Sequence, residues 1–295
     1  MQKITVVTAK KFYHPETVTP YIANILKEYE LLKAALEAKG VSVERTYWDD
    51  PHYDWSQTDA AVVRTVWDYF ERSDAFVRWM ATTAAKTRLI NPLPLLQWNT
   101  HKYYLRDLRE RGVRIVPTQF IDAGSDTTLR ELSNATGWKQ LVVKPAISAA
   151  AFHTYKITEE EIDAKEALFH SLVAKRDMLV QEYLPTITAK GEASLMVFNG
   201  NYTHAVLKKA KAGDFRVQDD FGGTVHPYEP TQEEIRFAEH ANAQCPVPPA
   251  YGRVDIVWDA EGGCYLSEME FLDPEIWLRF APHTAERLAE GILSS

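Results

Sequence analysis

Three carboxylates near the end of the chain have the spacing of a cation site. Glu268 and Glu270 lie two apart in the run Leu266-Ser267-Glu268-Met269-Glu270-Phe271, and Asp255 lies in Arg253-Val254-Asp255-Ile256-Val257. Both runs read as strands, and residues two apart on a strand face the same side. The turn Asp259-Ala260-Glu261-Gly262-Gly263 would pair the strands and bring Asp255 to the two glutamates. Three carboxylates on one face repel one another severely without a cation. Their hard oxygens suit Mg²⁺, which takes octahedral oxygen coordination shared with substrate phosphates. An exposed hairpin face decorated with acids is the alternative. The neighbouring Trp258, Tyr265 and Phe271 favour a partly buried setting, and with it the metal.

Two lysines offer the opposite charge. Lys102 falls early in an expected helix, and Lys144 ends the apolar run Leu141-Val142-Val143-Lys144-Pro145. An ammonium ending a buried strand is costly unless an anion meets it, and a polyphosphate would meet both lysines. Taken singly, each reads equally well as a surface or snorkelling lysine. As a pair followed by the small-residue loop Ala146-Ile147-Ser148-Ala149-Ala150-Ala151 they favour phosphate. Further on, Val180-Gln181-Glu182-Tyr183-Leu184-Pro185 is an apolar strand leading into an extended segment whose free backbone groups can read a purine edge; Gly191-Glu192 follows. Lys208, Lys209, Lys211 and Arg216 form a basic run ending at Phe221-Gly222-Gly223. Lys209 and Lys211 read as a solvated face. The flexible residues around Arg216 make 208–225 a lid expected to close over the nucleotide, and a guanidinium suits a developing oxyanion because its planar fork donates two bonds at once. His153, beside the small-residue loop, is the one histidine near this chemistry.

The elements that must position these groups follow from periodicity and breakers. Strand signals at 4–8, 41–45, 60–64 and 88–91 alternate with helix signals at 18–39 and 70–85, a rhythm of βαβ units and a parallel sheet. Arg64 and Asn91 end two of these strands, where they either face a ligand or satisfy a loop backbone. Pro92 and Pro94 then break the pattern. Asn99 reads as the cap of a helix over 100–111, followed by a strand at 114–121, a helix at 127–135 and strands at 140–144, 151–157 and 178–183; Thr158-Glu159-Glu160-Glu161 is a capping box. The last third reads as a hairpin, 193–199 and 202–207 about Asn199-Gly200-Asn201, then a mobile stretch at 211–230, a helix opened by the capping box at Thr231, and the two carboxylate strands at 252–258 and 264–269.

Composition sets the outer bounds. The chain has 295 residues, 45% apolar and 25% charged, with net charge −8, so no broad positive field is available to hold a nucleic acid. Its two cysteines, Cys245 and Cys264, cannot form a disulfide framework and read as reduced thiols. No apolar run approaches the ~20 residues that span a bilayer, and the first residues lack a signal-peptide pattern; a cytoplasmic protein without a membrane partner is expected. The Gly-x-x-x-x-Gly-Lys loop, the Gly-x-Ser-x-Gly elbow and zinc-spaced His/Cys sets are all missing from the sequence.

Taken together, the clusters resemble the ATP-grasp superfamily, in particular the glutathione-synthetase-like branch that includes the cycloserine-forming cyclo-ligase. The resemblance covers most of the chain and is strongest from about residue 97 onward. It implies an α/β protein with the ATP-grasp fold: an N-terminal parallel-sheet domain (1–91), a middle subdomain (92–184) and a C-terminal subdomain with the metal site (185–295), the last two enclosing the nucleotide. It implies ATP and Mg²⁺, with two ions expected. Lys102, Lys144 and Ser148 would contact phosphates; the backbone at Glu182, Tyr183 and Leu184 would read adenine; and Glu192 would bind the ribose hydroxyls. Lys208 and Arg216 would be the catalytic cations, on the γ-phosphate and the acyl-phosphate. Relatives commonly place Asp, Glu and Asn where this chain has Asp255, Glu268 and Glu270, and glycines where it has the alanine loop. The activity implied is carboxylate–amine ligation through an acyl-phosphate, acting on a small amino-acid-like substrate. The alternatives are intramolecular cyclisation of the cycloserine-forming type and a small-molecule kinase on the same scaffold. A non-catalytic nucleotide sensor would have little reason to keep three metal carboxylates. Small-molecule carboxylate and amine substrates are the partners expected, with a homo-oligomer left open.

Overall fold

The computed structural model describes residues 1–148, 152–217 and 222–295. The first sheet consists of β1 (Lys3–Thr8), β2 (Ser42–Tyr47), β3 (Ala60–Thr65) and β4 (Arg88–Ile90), all parallel, in the order β2-β1-β3-β4. The two central strands are almost wholly buried, as expected of strands covered on both faces. Parallel neighbours need crossovers, and the helix Pro20–Ala38 supplies the first. Thr19 caps it by accepting from the Ile22 N–H, Pro20 sits in the first turn where its missing donor costs nothing, and Gly40 at φ +79 ends it. Arg64 and Asn91 prove to be structural. Arg64 donates to Glu28 Oε1 at 2.5 Å and to the Pro274 carbonyl at 2.9 Å; the Asn91 amide bonds Tyr251 O, Phe271 O and Ala250 N. Both stitch the first sheet to the C-terminal part of the chain.

The two prolines follow the end of β4 at Ile90, as expected of a break, and they also begin a helix. Pro92 precedes the helix Leu93–Thr100 and Pro94 lies in its first turn, while a second helix spans Tyr104–Glu110. Asn99 is therefore not a cap but sits in the last turn of the first helix. Its amide clamps a strand edge, donating to Met269 O and accepting from Phe271 N, both at 2.8 Å. The expected 100–111 helix is interrupted at 101–103, where the Lys102 N–H donates to Ala146 O.

The middle sheet is antiparallel: β5 (Thr118–Ile121), β6 (Gln140–Pro145), β7 (Tyr155–Thr158) and β8 (Met178–Glu182), ordered β5-β8-β6-β7. Leu141, Val143, Phe169 and Val180 form its core against two helices, Leu129–Thr136 and Ile162–Val173. The capping box at Thr158 is present but opens a 3₁₀ turn before the helix. Strand β7 starts later than expected, and only half of 114–121 joins the sheet. Upstream, Ile115 instead bridges Leu266, tying the middle unit to the last one.

The third sheet is antiparallel, with β9 (Glu192–Phe198), β10 (Asn201–Lys209), β11 (Thr224–Tyr228), β12 (Tyr251–Trp258) and β13 (Cys264–Glu270) in the order β11-β10-β9-β12-β13. Asn199 and Gly200 both take positive φ at the hairpin turn, the geometry that Asn-Gly favours. Part of the stretch read as mobile is strand β11, which pairs with β10 through Lys208 opposite Val225 and Lys209 opposite Thr224. The expected lid is thus narrower than 208–225, since both of its ends belong to the sheet. One face of the third sheet packs Leu195, Val254 and Leu266 against Tyr104 and Leu108; the other packs Met196, Phe198 and Tyr251 with Ile4 and Leu288. Truncating a fully buried aromatic such as Phe271 would cost about 3–5 kcal/mol, so the strand carrying the glutamates is firmly anchored.

Candidate active site

A cleft of about 560 Å³ lies where the three sheets meet, and it is lined by Lys102, Lys144, Glu182, Glu192, Asp255 and Glu268 among others. Part of its lining is apolar, with Val116, Val142, Leu184, Ile187, Val257 and Met269, and part is densely charged.

Antiparallel pairing of β12 and β13 sets Asp255 opposite Glu268 and Arg253 opposite Glu270. Arg253 organises the charged part. Its guanidinium forks onto Asp255, with Nη2 at 2.8 Å from Oδ2, and the same Nη2 reaches Glu270 Oε1 at 2.6 Å. Lys208 Nζ joins from β10, 2.5 Å from Glu192 Oε1 and 3.2 Å from Asp255 Oδ2, and Ser194 Oγ donates to Asp255 Oδ1 at 2.5 Å. Burial would lift the Asp255 carboxyl, but Arg253 and Lys208 hold it down to about 2. Burial also pulls Lys208 down, and Asp255 and Glu192 more than restore it. Asp255 is thus consumed by protein cations. Asp255 faces Glu268 across the ladder and both act on Glu270, so the three carboxylates of the expected trio lie near one another, while among the described residues no three acidic, His or Cys side chains form a ready-made cage for an ion. All three line the cleft, and the side chains of Glu268 and Glu270 are 27% and 30% exposed.

Glu268 is paired with Lys102 Nζ at 3.0 Å, and the same ammonium donates to the Ser148 carbonyl at 2.7 Å. Although burial would raise it, Glu268 is held below its ordinary value by Lys102 and Lys144. Glu270 goes the other way. Burial, aided by Glu268 and Asp255 and opposed by Arg253, pushes it up to about 7. The Ser148 hydroxyl donates to Pro145 O, so what that loop gives Lys102 is its carbonyl; Ala149, Ala150 and Ala151 lie outside the described residues. Lys144 differs from the other lysines. Its ammonium has no ion-pair partner among the described residues, and burial lowers its pKa, partly offset by Glu268. It is the cation best placed to receive an incoming anion.

Glu182 ends β8, Tyr183 and Leu184 follow it, and all three line the cleft. The Glu182 and Tyr183 N–H groups are donated to Pro117 O and Gln140 O, leaving the Leu184 N–H without a bond among the described residues. Glu192 lines the cleft, with one oxygen on Lys208 and the other accepting from the Ser267 hydroxyl. Gly191 ahead of it has φ +110, and a Cβ there would strike the Lys208 carbonyl. Arg216 lines the cleft and is held by Asp214, with Nη2 at 2.7 Å from Oδ2. His153 bonds the Tyr155 hydroxyl through Nδ1 at 3.0 Å, an interaction within the middle unit. Two residues escaped the sequence reading. Arg253 could have been found by its i, i+2 relation to Asp255 on the same strand. Asp273, 6% exposed in the cleft, follows the strand in an irregular segment and carried no periodic signal.

Comparison with known proteins agrees with this geometry. A family model for the N-terminal domain of D-cycloserine synthetase DcsG matches residues 4–91, and one for the ATP-grasp domain of prokaryotic glutathione synthetase matches residues 113–245. The crystal structure of D-cycloserine synthetase DcsG superposes with a TM-score of 0.85 at 27% identity, covering 99% of each chain. The chain belongs to the ATP-grasp ligases. In sequence it is 29% identical over 279 residues to the cycloserine biosynthesis protein DcsG of Streptomyces lavendulae, covering 88% of this chain and 91% of that protein. The D-alanine–D-alanine ligase of Bacillus anthracis shares the fold, with a TM-score of 0.68 at 15% identity over 100% of this chain and 97% of that one. This ATP-grasp chain is an ATP-dependent enzyme forming C–N bonds. Among the described residues no helix is long and apolar enough to cross a membrane.

Proposed function

We propose that the enzyme closes a small amino-acid-derived substrate into a ring, activating its carboxylate as an acyl-phosphate at the expense of ATP and passing it to a nitrogen of the same molecule. The observation that carries the cyclising form is similarity along the whole chain to a cycloserine synthetase, including the first ninety residues, which supply Phe12, Tyr21 and Trp67 to the cleft lining. In this reading the base lies against Val116, Val142, Leu184 and Met269, with the Leu184 N–H free to meet it. Lys102 and Lys144 take the phosphates, and Arg253 and Arg216 face the oxyanions that develop at phosphorus and at the carbonyl. With Lys208 they act by position and charge, and the reaction needs no protein nucleophile.

Mg²⁺ fits the donor set. Glu268 and Glu270 are hard oxygen ligands on one strand face, both open to the cleft, and Arg253, the cation beside Glu270, is already shared with Asp255, so a polyphosphate entering there needs further positive charge. When bound, the ion would offset phosphate charge at the site of transfer. Glu270 carries a carboxylate where relatives commonly have an amide, and it binds an ion best once deprotonated. To test the function, small amino acids bearing a second nitrogen are supplied one at a time with ATP and Mg²⁺, and ADP is measured together with product mass. Ring closure requires ADP release with a single substrate and loss of one water from it. Release only when a separate amine is added would replace cyclisation by intermolecular ligation.

A further inference from the structure

One buried carboxylate in the cleft has no task in the nucleotide chemistry. Asp273 lies three residues beyond Glu270, is 6% exposed and lines the cleft, and its Oδ2 has no hydrogen-bond partner among the described residues. The backbone around it is held from the first domain. Trp67 Nε1 donates to the Asp273 carbonyl at 2.9 Å, and Arg64 donates to the Pro274 carbonyl at 2.9 Å. The charged groups acting on it are Arg64, Arg253, Glu270 and Asp68. Of these cations, Arg64 is occupied by Glu28 and Arg253 by Asp255 and Glu270, and neither makes an ion pair with Asp273. A buried acceptor left without a donor is costly, and a ligand that supplies the donor recovers that cost on binding.

Beside it stands an aromatic wall from the first domain. Phe12, Tyr21 and Trp67 all line the cleft, with ring centroids 5.8 Å apart for Phe12 and Trp67, 6.0 Å for Tyr21 and Trp67, and 6.4 Å for Phe12 and Tyr21. Aromatic rings attract cations and keep the local dielectric low, which strengthens a charged hydrogen bond beside them. We propose that Asp273, with the wall of Phe12, Tyr21 and Trp67, holds the protonated amine of the substrate, so that the enzyme selects free amino acids over N-blocked or deaminated carboxylates. In the empty cleft burial and Glu270 push the Asp273 carboxyl well above its ordinary value; an ammonium, which has donors only, draws it to the ionised form, which has acceptors only, so the two match once the ligand is in place. Three residues of chain span at most ~10 Å, which keeps the amine close to the reacting carboxylate beside Glu270 and restricts the substrate to a small molecule. This inference deepens the ligase reading and rests on it.

The test is binding, which needs no turnover. Cycloserine, with a free amine, and its N-acetyl derivative are titrated by calorimetry into the enzyme holding ADP and Mg²⁺. The wild type should prefer the free amine by roughly tenfold or more, the worth of one charge-assisted hydrogen bond. Asp273→Asn should erase that preference while ADP binding is kept and the melting temperature is not lowered, since asparagine matches the shape of the protonated carboxyl that burial and Glu270 favour in the empty cleft. If Asp273→Asn does not fold, Tyr21→Leu decides, with an expected drop in preference of roughly threefold. Equal affinity of the wild type for the two probes, binding of neither, or a preference that survives Asp273→Asn overturns the assignment. A melting temperature lowered together with loss of ADP binding assigns Asp273 a structural role and overturns it as well. Failure of the ligase reading would look different: no ATP-dependent activation of any carboxylate, whatever the probes do.

Discussion

Replacing Glu270 by glutamine should change how the stability of the metal-free protein depends on pH. In the folded protein the Glu270 carboxyl is pushed up to about 7 from an ordinary 4.5, because burial and the nearby Glu268 and Asp255 outweigh the Arg253 ion pair. Between those two values the folded state keeps a proton that the unfolded chain has released. The protonated carboxyl therefore costs the fold nothing below about pH 4.5, and stability is lost as pH rises through 7. At about 1.36 kcal/mol per pH unit the loss is up to about 3 kcal/mol. The 30% of the side chain that reaches the cleft allows water to reduce it, so about 1–3 kcal/mol is expected. Glutamine keeps an oxygen for Arg253 and cannot ionise. Urea denaturation of both proteins at pH 5, 6, 7 and 8 with chelator should give curves that coincide near pH 5 and diverge by about 1–3 kcal/mol at pH 8, with the wild type the less stable. Excess Mg²⁺ should shrink the wild-type decline. Parallel profiles across the range would refute the reasoning, since they would mean that Glu270 ionises as an ordinary surface carboxylate.

Three further outcomes follow from the same geometry. Glu268→Gln should abolish turnover with little change in melting temperature, and calorimetry should show ATP binding that depends on Mg²⁺ in the wild type; equal affinity with chelator would remove the metal from the account. Gly191→Ala should destabilise by about 1–3 kcal/mol in denaturant titration, because φ is +110 and the new Cβ meets the Lys208 carbonyl; an unchanged midpoint would show that the β9–β10 start can give way. Arg216→Ala should lower turnover far more than ATP affinity, and hydrogen exchange across 210–217 should slow when nucleotide and substrate are both bound; normal turnover would take Arg216 out of the catalytic account.

Much of the architecture could be read from the sequence because local signals agreed with the tertiary outcome. The buried runs at β1 and β3, the Asn199-Gly200 turn and the capping boxes at Thr158 and Thr231 each carry their own physical cause, and the structure has all of them. The failures share one origin: contacts distant in sequence. Asn99 looks like a cap until Met269 and Phe271, some 170 residues away, claim its amide. Pro92 and Pro94 signal a break in any local window, yet a proline in a first turn starts a helix equally well. Asp255, Glu268 and Glu270 were visible as a cluster and Lys208 as a nearby cation, but Arg253, the second cation holding Asp255, was not. Arg253 reads as one more residue of a strand until the fold buries it between two acids. Asp273 was invisible for a related reason, since a buried orphan acceptor is a property of the packed cleft and leaves no pattern in the chain.

The central claim, activation of a carboxylate by phosphorylation, is tested most directly by isotope transfer. Substrate labelled with oxygen-18 in its carboxylate is turned over with ATP and Mg²⁺, and the released phosphate is analysed by mass. Attack of the carboxylate on the γ-phosphorus leaves one labelled oxygen in phosphate for every ring closed, and hydroxylamine in the same reaction should yield a hydroxamate. Product formed with unlabelled phosphate would contradict the account, because the carboxylate oxygen would then have left by a route in which no acyl-phosphate forms.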